Sequence, residues 1–422
     1  MLKRGDLMEQ LFKQTLALVK TSIHRRDFSP DTDIPWKDAY HILATGKLSG
    51  VVYHNICQLS GPYRPDVHIM NPWKASVFQR GLRQLLSFQE LNHVLQESQK
   101  KGLHPVVFKG IALAALYPEP NMRFSSDADI LISPAESPAM EALLQKLGYS
   151  YVDSASKDHV PVYKISEANR FLKIELHDCL WEDYTGLQAN LLEQLQLAAP
   201  ETLLQTTACN IPITTLGYEQ HLIYQIFHIA KHFSFEGLPL RYLTDLTLYI
   251  NAYHNEINSS HFWSVMKQLK YDVFCDAIFK ICIHYLGMNE ALLSKEYKNY
   301  PLNETLLMDI LTAGKEAGTA VEAWASTDTL LRYLMRNTQA TQNHFSQKIH
   351  MFFPSPSELK DKFSYAKKYK ILLPIAWVHR FISAASYSKY CRNHGISAND
   401  TYNKIDHRLR LMKDLKMVDF KK

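Results

Sequence analysis

No two cysteines in this sequence are spaced C-x-x-C, so neither a zinc ribbon nor a disulfide framework organises it. The six that occur, Cys57, Cys179, Cys209, Cys275, Cys282 and Cys391, are scattered, as suits a reducing cytoplasm. A G-x-x-x-x-G-K-[ST] loop is missing, and with it the Walker cradle for phosphate. An H-x-H-x-D metal motif is missing too, which leaves a phosphohydrolase or kinase the weakest of the enzyme readings. Long apolar runs are absent: the longest, ILLPIAWV at 371–378, is far short of the roughly 20 residues of a membrane span. The opening MLKRGDLMEQLFKQ breaks its apolar residues with charge too often for a signal peptide. Together these absences predict a soluble cytoplasmic protein with no membrane partner. Charge of one sign is scarce as well, with 47 Lys and Arg against 42 Asp and Glu, a net +5 too slight to imply nucleic-acid binding. Its distribution is uneven: residues 354–422 hold 15 Lys/Arg and 6 Asp/Glu, a net +9. No internal repeat or low-complexity tract interrupts the chain.

What is present is 422 residues, 46% hydrophobic, enough for one large core or two to three smaller ones. Residues 1–102 read as a helical region. In ASVFQRGLRQLLSFQELNHVLQESQKKG the apolar residues recur near the helical period, and Gly102 stands where a helix stops. The period then changes. HPVVFKG is a short strand, IALAALY a helix, DADILI a strand, and SPAESPAMEALLQKLGY a helix with serine caps. VPVYKIS and RFLKIELHDCLW are two strands joined by the turn-prone EANR. The expected fold is α+β: a small mixed-sheet core at 103–182 between the N-terminal helices and a larger C-terminal helical region. That region is read as a cleft wall at 183–353 and a basic helical segment at 354–422.

The chemistry-bearing residues begin with RFSSDADILI. A strand sends alternate side chains to one face, so Asp127 and Asp129 point the same way, about 7 Å apart, and a positive charge is expected between them. The plain alternative is a loop aspartate followed by a strand-start aspartate, both solvated. In KIELH, Lys173, Glu175 and His177 share one face while Ile174 and Leu176 take the other. If this strand lies beside Asp127 and Asp129, Glu175 supplies a third carboxylate, and three can hold hard divalent cations. Otherwise KIELH is an amphipathic edge strand. In FKG, Lys109 and Gly110 stand where a strand yields to a helix, placed to meet a phosphate or merely to cap. On the helix GYEQHLIYQIFHIAKHF, His221, Gln225, His228 and His232 fall on one side. With Lys231, Arg241 and Asp245 they line a cleft or pack as a satisfied cluster. His228 and His232 have the i,i+4 spacing of a zinc pair but no third ligand nearby, and Arg241 and Asp245 have that of a helical salt bridge. The basic segment 354–422 mixes Lys and Arg with aromatics; it can hold an RNA backbone or be a solvated helix face.

A glycine at a strand-to-helix turn, a helix, a D-x-D strand and a later acidic strand residue, in that order, resemble the DNA polymerase β-like nucleotidyltransferase superfamily. More closely, FKGIALAALYPEPNMRFSSDADILI, LGY and IELHDCLW are similar to the bacterial nucleotidyltransferases of "family five", from Val106 to Trp181, with a looser likeness in HIAKHF, LRYLTDL and LPIAWVHRF. The resemblance implies a transferase that moves an NMP from an NTP, ATP foremost, to an unidentified acceptor (small molecule, protein or RNA) with Mg²⁺ or Mn²⁺. By the same likeness Asp127, Asp129 and Glu175 are catalytic metal ligands, and Glu175 also helps activate the acceptor hydroxyl. Gly110 is then the turn glycine and Lys109 a triphosphate contact, although the superfamily's usual pair there is Gly-Ser or Gly-Gly. Arg123 matches an arginine of the closer family and either reaches the triphosphate or pairs with Asp127. Lys173, His228, Lys231 and His232 complete the candidate nucleotide contacts. The alternative is an inactive nucleotide-binding or interaction protein on the same fold, against which the intact acidic trio argues.

Overall fold

The computed structural model describes residues 4–152, 160–167, 169–181, 189–235, 237–297, 300–313, 353, 364–379 and 407–417. Most of the basic 354–422 segment, and with it the RNA reading, therefore lies outside the described residues. Four helices come first: α1 (Arg4–Ile23), α2 (Trp36–Thr45), α3 (Tyr53–Gln58) and the long α4 (Val67–Lys100). Asp66 caps α4 by accepting from the His68 N–H at 2.8 Å, and Gly102, at φ +68°, lets the chain turn away.

The sheet follows, from β1 (Val106–Phe108), β2 (Ala128–Leu131), β3 (Ser150–Val152), β4 (Val162–Ser166) and β5 (Phe171–His177), with α5 (Gly110–Ala114) and α6 (Ser137–Lys146) between strands. Its order is β1-β2-β5-β4-β3, mixed because β2 and β5 run parallel while the other neighbours are antiparallel. The alternation in FLKIELH sends Leu172, Ile174 and Leu176 into a core with Ile130. Phe88, Leu91 and Val94 of α4 and Met140, Leu143 and Leu144 of α6 complete it. Each fully buried Ile or Leu there contributes roughly 1.5–3 kcal/mol, which fixes the register and so the direction of the polar face.

The chain continues through α7 (Ala189–Gln194), β6 (Leu204–Ala208), β7 (Ile211–Thr215), α8 (Tyr218–Phe235), α9 (Arg241–Tyr253), α10 (Ser259–Gln268), α11 (Asp272–Ile281) and α12 (Glu304–Ala313). The stretch read as helical from 183 thus also contains a hairpin, closed by Cys209 and Asn210 at φ +51° and +63°. Both positive φ values make the two-residue turn that suits twisted strands. A second core joins the N-terminal helices to α8–α12: Leu16, Leu43 and Trp73 share it with Leu222, Phe233, Phe262 and Phe279. The two helical regions on either side of the sheet unit are therefore one packed body. No helix among the described residues is long and apolar enough to cross a membrane.

Candidate active site

The polar face of the sheet looks into a cleft of about 270 Å³, walled on the other side by α8 and α9. Asp129 and Glu175 are direct neighbours across the parallel β2–β5 pair, and His177 stands one pleat further along β5. One ligand atom from each of these three lies within 4.8 Å of the others. Two carboxylate oxygens and an imidazole nitrogen are a donor set that fits a divalent cation, and the carboxylates suit Mg²⁺ or Mn²⁺. In the sequence His177 is marked only as a face-mate of Glu175, by the K-x-E-x-H alternation. Asp127 lines the same cleft but stands outside the trio. It precedes the first residue of β2, so strand alternation does not aim it, and its Oδ2 accepts from the Ser126 hydroxyl at 2.9 Å.

Two lysines supply the positive charge expected among these acids. Lys109 Nζ is 3.0 Å from Asp129 Oδ1, which His177 Nε2 also approaches at 3.2 Å. Lys173 Nζ is 2.6 Å from Glu175 Oε1 and 3.6 Å from Asp127 Oδ2. Burial alone pushes the Asp129 carboxyl up, but Lys109 and His177 outweigh it and hold Asp129 well below the usual carboxylate range. For Glu175, burial and the charges of Asp127 and Asp129 raise the carboxyl, with Lys173 offsetting part of the rise. Burial lowers the Lys109 ammonium, and Asp129 with Tyr224 more than reverses that. The same cleft therefore holds one firmly ionised carboxylate beside one that takes a proton more readily.

Lys109 and Gly110 form the turn between β1 and α5. Both have positive φ, +56° and +26°, and for a lysine this backbone is strained by about 1–3 kcal/mol. His221 helps hold it: the Lys109 N–H donates to His221 Nε2 at 3.3 Å, a role that needs a neutral imidazole. Burial and then Lys109 pull the His221 pKa down to about 3. A Cβ at Gly110 would meet only Asp127 O, at 3.8 Å, so the backbone there is open to a close-fitting group.

Arg123 pairs with Asp245 rather than with Asp127, the side-chain partner considered from the sequence. Its guanidinium binds Asp245 with both arms, Nε to Oδ1 and Nη2 to Oδ2 at 2.7 Å each, and Nη1 donates to Gly110 O at 3.1 Å. Tyr117 OH donates to the same Asp245 at 2.7 Å. Arg241 and Asp245 are 4.0 Å apart, so the brace expected within α9 is the longer contact, and both oxygens of Asp245 are taken by Arg123. On α8, His228, Lys231 and His232 line the cleft, with the His228 and His232 Nε2 atoms 3.1 Å apart and Tyr242 OH 3.0 Å from His232 Nε2. Among the described residues no third metal-ligating side chain joins that histidine pair.

Residues 32–287 match the model of a family described as uncharacterised nucleotidyltransferase. Among solved structures, the chain is similar to ANT(2")-Ia in complex with adenylyl-2"-tobramycin, at 12% identity and a TM-score of 0.29, over 42% of this chain and 91% of that one. It is also similar to an antigenic nucleotidyltransferase-like protein from Paracoccidioides brasiliensis, at 15% identity and a TM-score of 0.31, over 50% of this chain and 95% of that one. No curated protein matches it.

Proposed function

This chain belongs to that nucleotidyltransferase family, and from this premise we propose that it moves an NMP group from a nucleoside triphosphate, ATP foremost, to an acceptor hydroxyl, releasing pyrophosphate. The observation that carries the reading is the convergence of Asp129, Glu175 and His177 beside Lys109 in one cleft. Asp129, Glu175 and His177 would hold the divalent cation, Mg²⁺ or Mn²⁺, and Asp127 lines the same cleft. When bound there, such an ion makes a hydroxyl more acidic and offsets phosphate charge. Lys109 and the open backbone of Gly110 take the triphosphate, and Lys173, His228, Lys231 and His232 add charge and hydrogen bonds around it. Arg123, bound to Gly110 O, acts by fixing that turn.

In the transfer the acceptor oxygen attacks the α-phosphorus, the bond from that phosphorus to the β-bridging oxygen breaks, and both electrons of that bond leave with pyrophosphate. Glu175 helps activate the acceptor hydroxyl and receives its proton. Positioning and charge compensation supply most of the rate. The reaction draws on a cytoplasmic nucleotide pool, in keeping with free thiols at Cys57, Cys179, Cys209, Cys275 and Cys282.

A second reading, a protein that holds nucleotide without turnover, draws on the contacts of Lys173 with Glu175 and Asp127, which neutralise those acids from within. Incubating the full chain with each α-³²P-labelled NTP, Mg²⁺ or Mn²⁺ and cell extract separates the two. Pyrophosphate release with label in a small-molecule, protein or RNA fraction is the expected result. Nucleotide binding with no pyrophosphate supports the second reading and contradicts the first.

A further inference from the structure

We propose that Lys173 is a built-in counter-ion that exchanges partners during loading. It rests on the carboxylates while the cation site is empty, and moves to the triphosphate when the divalent cation takes its place. This inference rests on the reading of the cleft as a nucleotidyl-transfer site.

Formal charge motivates it. Asp127, Asp129 and Glu175 carry three negative charges, and Lys109 and Lys173 return two positive ones. A divalent cation added to that set leaves a net positive cluster in a cleft where Arg241 and Lys231 already stand. The repulsion is relieved if one lysine leaves the carboxylates for an arriving polyanion. Cation and nucleotide then favour each other's binding, because each removes the partner the other must displace.

The structure distinguishes which lysine moves. Lys109 is 15% exposed, held on a strained turn, with its Nζ 5.1 and 5.2 Å from the Phe108 and Tyr224 ring centres. Lys173 is 33% exposed, on a flexible four-carbon stem. Across the β4–β5 ladder Lys164 stands directly opposite it, exposed and on the same face. Like charges opposed in a sheet repel, which biases Lys173 toward the acids when nothing else neutralises them and toward an anion when one arrives. Its two contacts, 2.6 Å to Glu175 and 3.6 Å to Asp127, span one member of the metal trio and the acid beside it.

The test measures cation binding without turnover. Mn²⁺ is titrated calorimetrically into the full-length protein with no nucleotide present, for the wild type, Lys173→Met, Lys173→Arg and Asp129→Asn. Because a partly exposed ion pair is a weak competitor, Lys173→Met is expected to bind Mn²⁺ about twofold to fivefold more tightly than the wild type. With Mg²⁺ saturating, the same variant is expected to bind a nonhydrolysable ATP analogue at least threefold more weakly, while Lys173→Arg stays close to the wild type in both. Opposite shifts for the two ligands are what a purely structural lysine does not produce. Mn²⁺ affinity in Lys173→Met equal to or below that of the wild type overturns the exchange, and so does unchanged analogue affinity. If Mn²⁺ binds Asp129→Asn as well as it binds the wild type, the metal site itself is misassigned and both readings fall.

Discussion

At Asp129 two opposed expectations can be weighed against each other. Seen only as half of a repelling D-x-D pair, its neutralisation should relieve strain. In the structure Lys109 and His177 already compensate it, and both it and Lys109 are largely buried. Asp129→Asn therefore strands a buried ammonium and is expected to cost about 3 kcal/mol in urea unfolding. Asp127→Asn, on a carboxylate outside the trio and 3.6 Å from Lys173, is expected to cost less than about 1 kcal/mol. Equal costs would contradict this assignment. The pH dependence follows from the same groups. The folded pKa of Asp129 lies below its ordinary 3.8, so its contribution is present above that value and is lost as pH falls further. His221 acts earlier: with its pKa lowered from 6.5 to about 3, the unfolded chain gains a proton that the fold refuses throughout that interval. Stability should fall through this site by about 1.4 kcal/mol per pH unit from pH 6 toward pH 4. His221→Gln should remove that slope, as measured by unfolding at a series of pH values; an unchanged slope would place His221 in a different protonation state.

At the scale of elements, the site depends on how closely the N-terminal helices approach the segment leading into β2. A Cβ on Gly50 would stand 2.5 Å from the Phe124 ring and 2.7 Å from Met122 O, directly beside Arg123. Gly50→Ala is expected to destabilise by about 2 kcal/mol and to weaken nucleotide binding by displacing Arg123 from Gly110; a melting curve within experimental error of the wild type would contradict the close approach. The strands that carry the site were legible in the sequence. DADILI contains β2, and KIELH lies within β5, because period-two alternation around Ile130, Ile174 and Leu176 states both the strand and its buried face. The β6–β7 hairpin carries no such local signal. Its turn is Cys-Asn rather than Asn-Gly, and three polar residues, Gln205, Thr206 and Thr207, blunt the alternation that marks a strand.

At the scale of the whole molecule, Lys109, Arg123 and Asp245 come from sites up to 136 positions apart, and only the shared helical core brings α9 to the end of β1. Sequence spacing has no term for such a meeting, so the pairing of Arg123 with Asp245 is not legible in it. His177 escaped for the opposite reason: it lies two residues from Glu175 on the same strand, but only the parallel register with β2 shows that its ring reaches Asp129. The packing of α8 and α9 over the polar sheet face leaves the acids facing inward toward a confined cleft, where a cation and a triphosphate would each need the other. The most direct measurement is a crystal structure of the protein with Mn²⁺ and a nonhydrolysable ATP analogue, using the anomalous signal of the metal. The account predicts a manganese peak bonded to Asp129, Glu175 and His177 with the triphosphate beside Lys109; a peak elsewhere, or bound analogue with no metal among those three side chains, would contradict it.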